Sequence, residues 1–597
     1  MYKKKYVQKL FESNPTIHGL LKEAETLREA REQIIAYISD RIRFINREGH
    51  MLQPLEWHLQ NQSLQTLRKL LSLRSERLAK FKLLKLLWQL AHGTEEALPE
   101  DLSDGFFMEM IHLFKGLQGK SGIYDQENFP EFANLTGREA SIIRSSKLDD
   151  MAEQLLYHVD RYPTGLDEAV VLIRKRNRRR ILKHFGAKKA DWDNAQWHLD
   201  HVIRDADTLR ELITLKDHEY EAITKAKKAK IPFGITPYYA SLMDQAPHRR
   251  RDHAVRAQVI PPLDYVTAMV VNKDERAQSC DFMLESDTSP IDLITRRYPM
   301  IVILKPYNTC SQICVYCQRN WEIDDVLCPD ALAPREKLEA AIAWIADHPA
   351  IREVLVTGGD PLVMSNEDID FVLNRLSQIR HVERIRIGSR TPVVLPQRIT
   401  DELMTIIAKY HQPGRRGISL ITHFEHPYEV TPEAMEAVQK FKRRGISAYN
   451  QAVFTVENSR RFEMVALRRI LRLIGVEPYY TFNTKGKEET RSYRVPLARL
   501  RQEIKEEARL IPGLMRTDEP VYNVPGLGKN YLRALQHHSL LTVLPNGRRV
   551  YEFHPWEKHL SLANTYIDTD VSIYSYLQEL KRRGENINEY NSIWYYY

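Results

Sequence analysis

The sequence predicts an α/β fold, a parallel β-sheet covered by helices, preceded by a large α-helical domain. Two observations carry this. After Arg296, six short β-rich runs alternate with five helical patterns, at about thirty residues per unit, as βα repeats in a parallel sheet do. Before about Lys216, strand-like alternation is scarce and apolar residues recur every three or four positions, the spacing of one helix face. A partial (β/α)6 barrel and a doubly wound sheet both satisfy the first observation.

The elements follow in order. Residues 1–215 read as a helical accessory domain, with long amphipathic runs such as LQTLRKLLSLRSERLAKFKLLKLLWQLAHG, whose His92-Gly93 end is a helix stop. Residues 216–295 are a helical lead-in broken by prolines. Residues 296–554 hold the strands PMIVILKP, EVLVTGG, RIRIGS, GISLITHF, ISAYNQAVF and VEPYYTF, with helices such as REKLEAAIAWIADH and NEDIDFVLNRLSQI between them. Residues 555–597 form a Tyr-rich tail with one short helix, SIYSYLQELKRRG; its end reads equally as an oligomer contact or a surface cap. The unusual residues, Cys310, Gly358-Gly359-Asp360, His423 and Gln451, sit at the C-terminal ends of strands. Barrels place their chemistry there, which favours the barrel.

Composition narrows the class. A chain of 597 residues suggests two or three domains. No apolar run is long enough to span a membrane, and MYKKKYVQKLFESNP lacks the apolar core of a signal peptide. Both point to a cytoplasmic setting. The net charge is +8, and Met1–His92 carries seventeen Lys/Arg against nine Asp/Glu. This stretch and the run RKRNRRR (174–180) read as solvated helix faces rather than a nucleic-acid grip, because charge alone says little about function.

The strongest chemical signal is TCSQICVYC, with Cys310, Cys314 and Cys317 just after the first strand. Three thiolates on one loop suit an iron–sulfur cubane and leave its fourth iron without a protein ligand. The rival is zinc, with Cys328 as fourth ligand and no paired CxxC beside it. The next strand ends in Thr357-Gly358-Gly359-Asp360-Pro361, glycines that let backbone approach a ligand closely.

CxxxCxxC in this position resembles the radical S-adenosylmethionine (SAM) superfamily. The resemblance implies a partial (β/α)6 radical SAM barrel and a [4Fe–4S] cluster whose open iron binds SAM. It also implies an electron donor such as flavodoxin or ferredoxin. Gly358, Gly359 and Asp360 resemble the motif for the SAM amino group, and His423 and Gln451 join them as SAM-binding candidates. RYP (297–299), RIGSRTPVVLPQRIT (386–400), THFEHPYEVTPEA (422–434), NQAV (450–453) and PYY (478–480) resemble the lysine 2,3-aminomutase family, most of all its glutamate 2,3-aminomutases. That family uses pyridoxal phosphate (PLP), which needs a lysine for its Schiff base; Lys529, ending NVPGLGK, matches. Arg297 and Tyr298 match PLP contacts, while Ile301 stands where the family has a second phosphate-binding arginine. Arg319 matches the arginine for the substrate α-carboxylate, a planar fork suited to that group.

Lysine-specific members hold the substrate ammonium with two aspartates, and here those positions are Lys485 and Asn523. A buried substrate cation beside Lys485 would lack a counter-ion, so the resemblance implies L-glutamate going to β-glutamate. Lysine, or another amino acid, is the alternative substrate, and an iron–sulfur nucleic-acid-binding or modifying protein the alternative class. The family's C-terminal zinc cysteines have no match after Cys328.

Overall fold

Each β-rich run becomes a strand because its alternate residues serve two surroundings. In β2 (Ile301–Tyr307), β3 (Glu353–Gly358) and β6 (Ser447–Phe454) every second residue is fully buried and its neighbours are half-exposed. The buried set, Val302, Leu304, Val354 and Val356 among them, stabilises the fold by about 1.5–3 kcal/mol per side chain. The half-exposed set includes Ile303, Leu355, Thr357, Gln451 and Val453, which line a cavity.

The computed structural model describes residues 5–48, 54–94, 98–124, 131–248, 251–271, 280–484, 488–533, 538–554 and 565–597. These fall into two compact units. The second comprises Tyr157–Arg494 and Ala508–Gly528. It holds a short edge strand β1 (Ile294–Thr295), antiparallel to β2. From β2 the sheet runs through β3, β4 (Arg384–Gly388), β5 (Gly417–Thr422), β6, β7 (Val476–Asn483) and β8 (Glu519–Val524), all parallel and in chain order. A doubly wound sheet reverses its strand order at a switch point; this one never reverses, so the barrel reading holds. β1, β8 and β9 (Gly528–Tyr531), which follows β8 in the strand order, are additions to the six expected strands.

The five expected helices all form: Arg335–Ala346, Asn366–Ser377, Asp401–Lys409, Pro432–Lys442 and Glu463–Leu473. Their starts are written locally. Ser365, Thr400 and Thr431 each accept the backbone N–H three residues on, the N-cap bond worth about 1 kcal/mol. Among the described residues no helix is long and apolar enough to cross a membrane.

The basic run at 174–180 is not a purely solvated face. Arg174 is buried, donates to the Tyr428 carbonyl and stacks over the Tyr428 ring. Asn177 is buried too, its amide donating to the carbonyls of Ser241 and Met243 at 2.9 and 2.8 Å. The run therefore pins its helix to the second unit, which is why residues 157–215 cluster there and not with the rest of the expected N-terminal domain.

The first unit comprises Met1–Leu156, Val495–Glu507 and Lys529–Tyr597. Its helix Asp104–Leu117 is mostly buried, including Phe106, Phe107, Met110 and Phe114. A three-stranded antiparallel sheet, absent from the sequence expectation, is formed by β10 (His538–Val543), β11 (Arg549–Phe553) and β12 (Tyr566–Thr569). β9 (Gly528–Tyr531) lies where the chain passes from the second unit to the first. Arg549 is fully buried, pairs with Glu109 at 2.9 Å and donates to the carbonyls of Trp594 and Tyr596. Tyr590, Ile593 and Trp594 are buried with it. These residues of the Tyr-rich end are thus packed into the core of their own unit.

Candidate functional site

The cysteine loop follows β2 and is held by its other residues. Ile313 and Val315 are buried in two separate apolar clusters, with Val202, Ile323 and Val326 for the first and Ile231, Tyr265, Val266 and Met269 for the second. Their backbone N–H groups donate to Gly234 and Gln258 carbonyls at 3.0 and 2.8 Å. With its apolar residues anchored, the loop turns Cys310, Cys314 and Cys317 to one cavity of about 340 Å³. Gly358, Gly359, Asp360, His423, Gln451, Arg319 and Asn523 line the same cavity.

The glycines explain how two loops meet there. Gly358 has φ +116°, a conformation closed to other residues without strain. A Cβ on Gly359 would lie 2.1 Å from the Thr309 carbonyl oxygen. Gly359 N–H donates to Tyr307 and Asp360 N–H to Thr309, at 2.7 and 2.8 Å. The glycine pair is a seat for the cysteine loop as much as a face toward a ligand. Asp360 carries its carboxylate away from that role. Its oxygens accept Ser389 Oγ at 2.7 Å and the N–H groups of Arg390, Thr391 and Leu362 at 2.8, 2.9 and 3.1 Å. It holds the turn after β4.

His423 ends β5 with Nδ1 3.1 Å from the Gln451 carbonyl; burial and then Arg390 lower its pKa to about 4, so the ring is neutral at pH 7. Arg319 is clamped before any substrate arrives, by Glu285 at 2.9 Å and Glu322 at 3.0 Å. Lys305 in turn holds Glu322 at 2.6 Å. Asn523 donates to Gln318 Oε1 at 3.4 Å. Arg297 spends its guanidinium on the carbonyls of Met283 and Gly526, the latter three residues before Lys529. Tyr298 and Ile301 flank the entry to β2, and Ile301 is half-buried. Lys529 is half-buried in β9 and belongs to the first unit. Lys485 lies outside the described residues.

Two further cavity residues fall inside the segments RIGSRTPVVLPQRIT and THFEHPYEVTPEA without being singled out there. Glu425 is buried, and burial pushes its carboxyl up to about 8 against the opposing pull of Arg390. Arg390 places Nη1 2.7 Å from Cys314 Sγ and Nη2 2.7 Å from Glu429.

The chemistry of the donor set favours a cluster over a single ion. Sulfurs around one tetrahedral zinc stand about 3.8 Å apart, given Zn–S bonds of about 2.3 Å. Among the described residues, the three ligand atoms found within 4.8 Å of one another are those of His253, His426 and Glu463, not the cysteine sulfurs. Cys328 is not among the residues lining the cavity. Burial pushes the Cys310 and Cys314 thiols up, at Cys314 against the opposing pull of Arg390.

Residues 304–468 match the Radical SAM superfamily. An uncharacterized KamA family protein of Methanocaldococcus jannaschii is 44% identical over 98% of this chain and 97% of its own length. The chain belongs to the KamA family. Relatives with named activities match about half of it. The glutamate 2,3-aminomutase of Clostridioides difficile is 34% identical over 53% of this chain and 71% of its own length. The L-lysine 2,3-aminomutase of Clostridium subterminale is 36% identical over 52% and 70%. The match to the Methanocaldococcus jannaschii protein, over 98% of this chain, is thus not confined to the barrel.

The His253–His426–Glu463 group is an ion-pair network. Arg460 already binds Glu463 at 2.7 Å, His426 Nε2 lies at 3.0 Å, and His426 Nδ1 accepts the Tyr428 N–H. Burial alone would raise the Glu463 carboxyl, but Arg460, His253 and His426 together hold it well below the usual range. A carboxylate depressed in this way stabilises the fold fully above its unfolded value of about 4.5, and that contribution is lost as pH falls toward the folded value. Glu463→Gln should therefore cost about 3–5 kcal/mol at pH 7, with the gap from wild type narrowing below pH 4.5. Urea unfolding at pH 7 and pH 4 checks this.

Proposed function

We propose that this KamA protein is a radical SAM 2,3-aminomutase that interconverts L-glutamate and β-glutamate. The observation that carries the reading is one cavity lined by Cys310, Cys314 and Cys317 together with Gly358, Gly359, His423, Gln451 and Arg319. In it the three cysteines hold a [4Fe–4S] cluster, and the backbone of Gly358 and Gly359 with His423 and Gln451 holds SAM. Lys529, Arg297 and Tyr298 hold PLP. When bound, these groups supply a one-electron reductant, a carbon-centred radical and a carrier for the migrating nitrogen.

The chain's own residues bind, orient and exclude water. Arg319, fixed by Glu285 and Glu322, presents a pre-set guanidinium to the α-carboxylate, so little side-chain freedom is lost on binding. The apolar wall of Ile303, Leu355, Ile421, Val453 and Phe482 keeps the reacting carbons out of water. The substrate assignment rests on Lys485 and Asn523 in place of two acids.

The test is a product assay. Anaerobic protein loaded with iron, sulfide and PLP is reduced, given SAM, and offered single L-amino acids, with β-amino acids read by mass spectrometry. β-Glutamate from glutamate alone supports the reading. β-Lysine keeps the aminomutase and removes the substrate assignment.

A further inference from the structure

Arg390 stands at the centre of the site, and none of the roles proposed above uses it. It follows β4, and its side chain is only 11% exposed. Its Nε donates to the His423 carbonyl at 3.2 Å, and Nη2 faces Glu429 Oε1 at 2.7 Å, the Gln258 side-chain oxygen and Tyr239 Oη. Nη1 is turned the other way, 2.7 Å from Cys314 Sγ. Its backbone N–H is pinned by Asp360. A guanidinium gripped from four directions cannot swing out to water. Oxygen acceptors fix one end, and the other end faces a thiol sulfur across 76 residues of chain.

We propose that Arg390 is a positioning residue that sets the reduction potential of the cluster held by Cys310, Cys314 and Cys317. This rests on the cluster reading given under the proposed function. An electron added to a thiolate-ligated cluster increases the negative charge on its sulfurs. A cation donating a hydrogen bond to one of those sulfurs stabilises the reduced form, and more so in a cavity of low dielectric than in water. Arg390 therefore makes the cluster easier to reduce. Glu429 partly offsets its charge, so the arginine and glutamate act as an oriented pair with the positive end toward Cys314. The other arginine lining the cavity, Arg319, is paired with Glu285 and Glu322, and its backbone N–H lies 3.4 Å from the Cys317 sulfur.

The test uses the full chain, cluster-loaded under anaerobic conditions and grown on arginine labelled with 15N in the guanidino group alone. Pulsed electron paramagnetic resonance of the reduced cluster should show a 15N coupling in the wild type that disappears in Arg390→Lys. Redox titration should give a midpoint shifted to more negative potential in Arg390→Gln, with full iron content. Absence of the coupling in the wild type overturns the proposal, as does its survival in Arg390→Lys. So does an unchanged midpoint in Arg390→Gln with a full cluster. If Arg390→Gln loads no cluster, the labelled wild type and Arg390→Lys decide. If wild type itself loads none, it is the cluster reading that fails.

Discussion

Gly359→Ala should cost the protein its cluster as well as stability. The new Cβ would meet three backbone atoms of Thr309, at 2.1, 2.5 and 2.6 Å. A side chain could rotate away from such a contact; the backbone next to Cys310 cannot. Overpacking of this kind costs about 1–3 kcal/mol where neighbours can yield, and here yielding means moving the cysteine loop. Iron bound per chain after reconstitution should fall well below that of wild type, with a lowered unfolding midpoint. Gly417→Ala is the control: an added Cβ there meets nothing within 4 Å and its φ is not positive. That change should leave iron content unaltered and stability within about 1 kcal/mol of wild type. Equal iron loading in the two variants would show that the Gly359 contact does not hold the loop.

Gly359 also shows how the site is tied together. Its neighbour Asp360 secures the backbone of Arg390, whose side chain reaches Cys314. The loop after β3 therefore touches the cysteine loop twice, once through backbone and once through the turn after β4. Changes in any of the three loops should spread to the others.

How far the sequence could be read depends on how local each feature is. The six strands and five helices were legible because their periods repeat within each segment, and the cysteines because the ligands of one loop lie within eight residues. Gly358-Gly359 was legible as a motif, but its seat against Thr309 needs the parallel register of β2 and β3. Arg390 and Glu425 lie inside segments that carry the family resemblance, but nothing local singles them out, since their roles arise from contacts between strand ends far apart in sequence. The basic run at 174–180 misled for the same reason: whether Arg174 meets water or the Tyr428 ring depends on the fold. The two units interleave along the chain, with 495–507 and 529–597 belonging to the first, so no linear boundary could mark them. β10–β12 are short strands of six, five and four residues, and the Tyr-rich end looked exposed because aromatic content does not say what covers it.

Lys529→Ala separates the two halves of the proposed chemistry. The cysteines, glycines and His423 all belong to the second unit, and Lys529 to the first, within a short strand whose residues alternate between buried and half-buried. Lys529 lies on β9, at the end of the sheet next to β8, and is not among the residues that line the cysteine cavity. Iron content and SAM cleavage by the reduced protein should therefore survive the change. Covalent attachment of PLP requires the ε-amine, so the borohydride-sensitive absorbance band should vanish. β-Amino acid formation should fall at least about 10³-fold, the scale of losing a group that acts covalently. A surface lysine would behave otherwise, leaving the band and the product rate near wild type. If product and SAM cleavage fell together while iron stayed bound, Lys529 would be acting on the radical-generating side, and the assignment of PLP to it would fail. If product alone fell, the division is as proposed: the barrel makes the radical, and Lys529 tethers the PLP that carries the nitrogen.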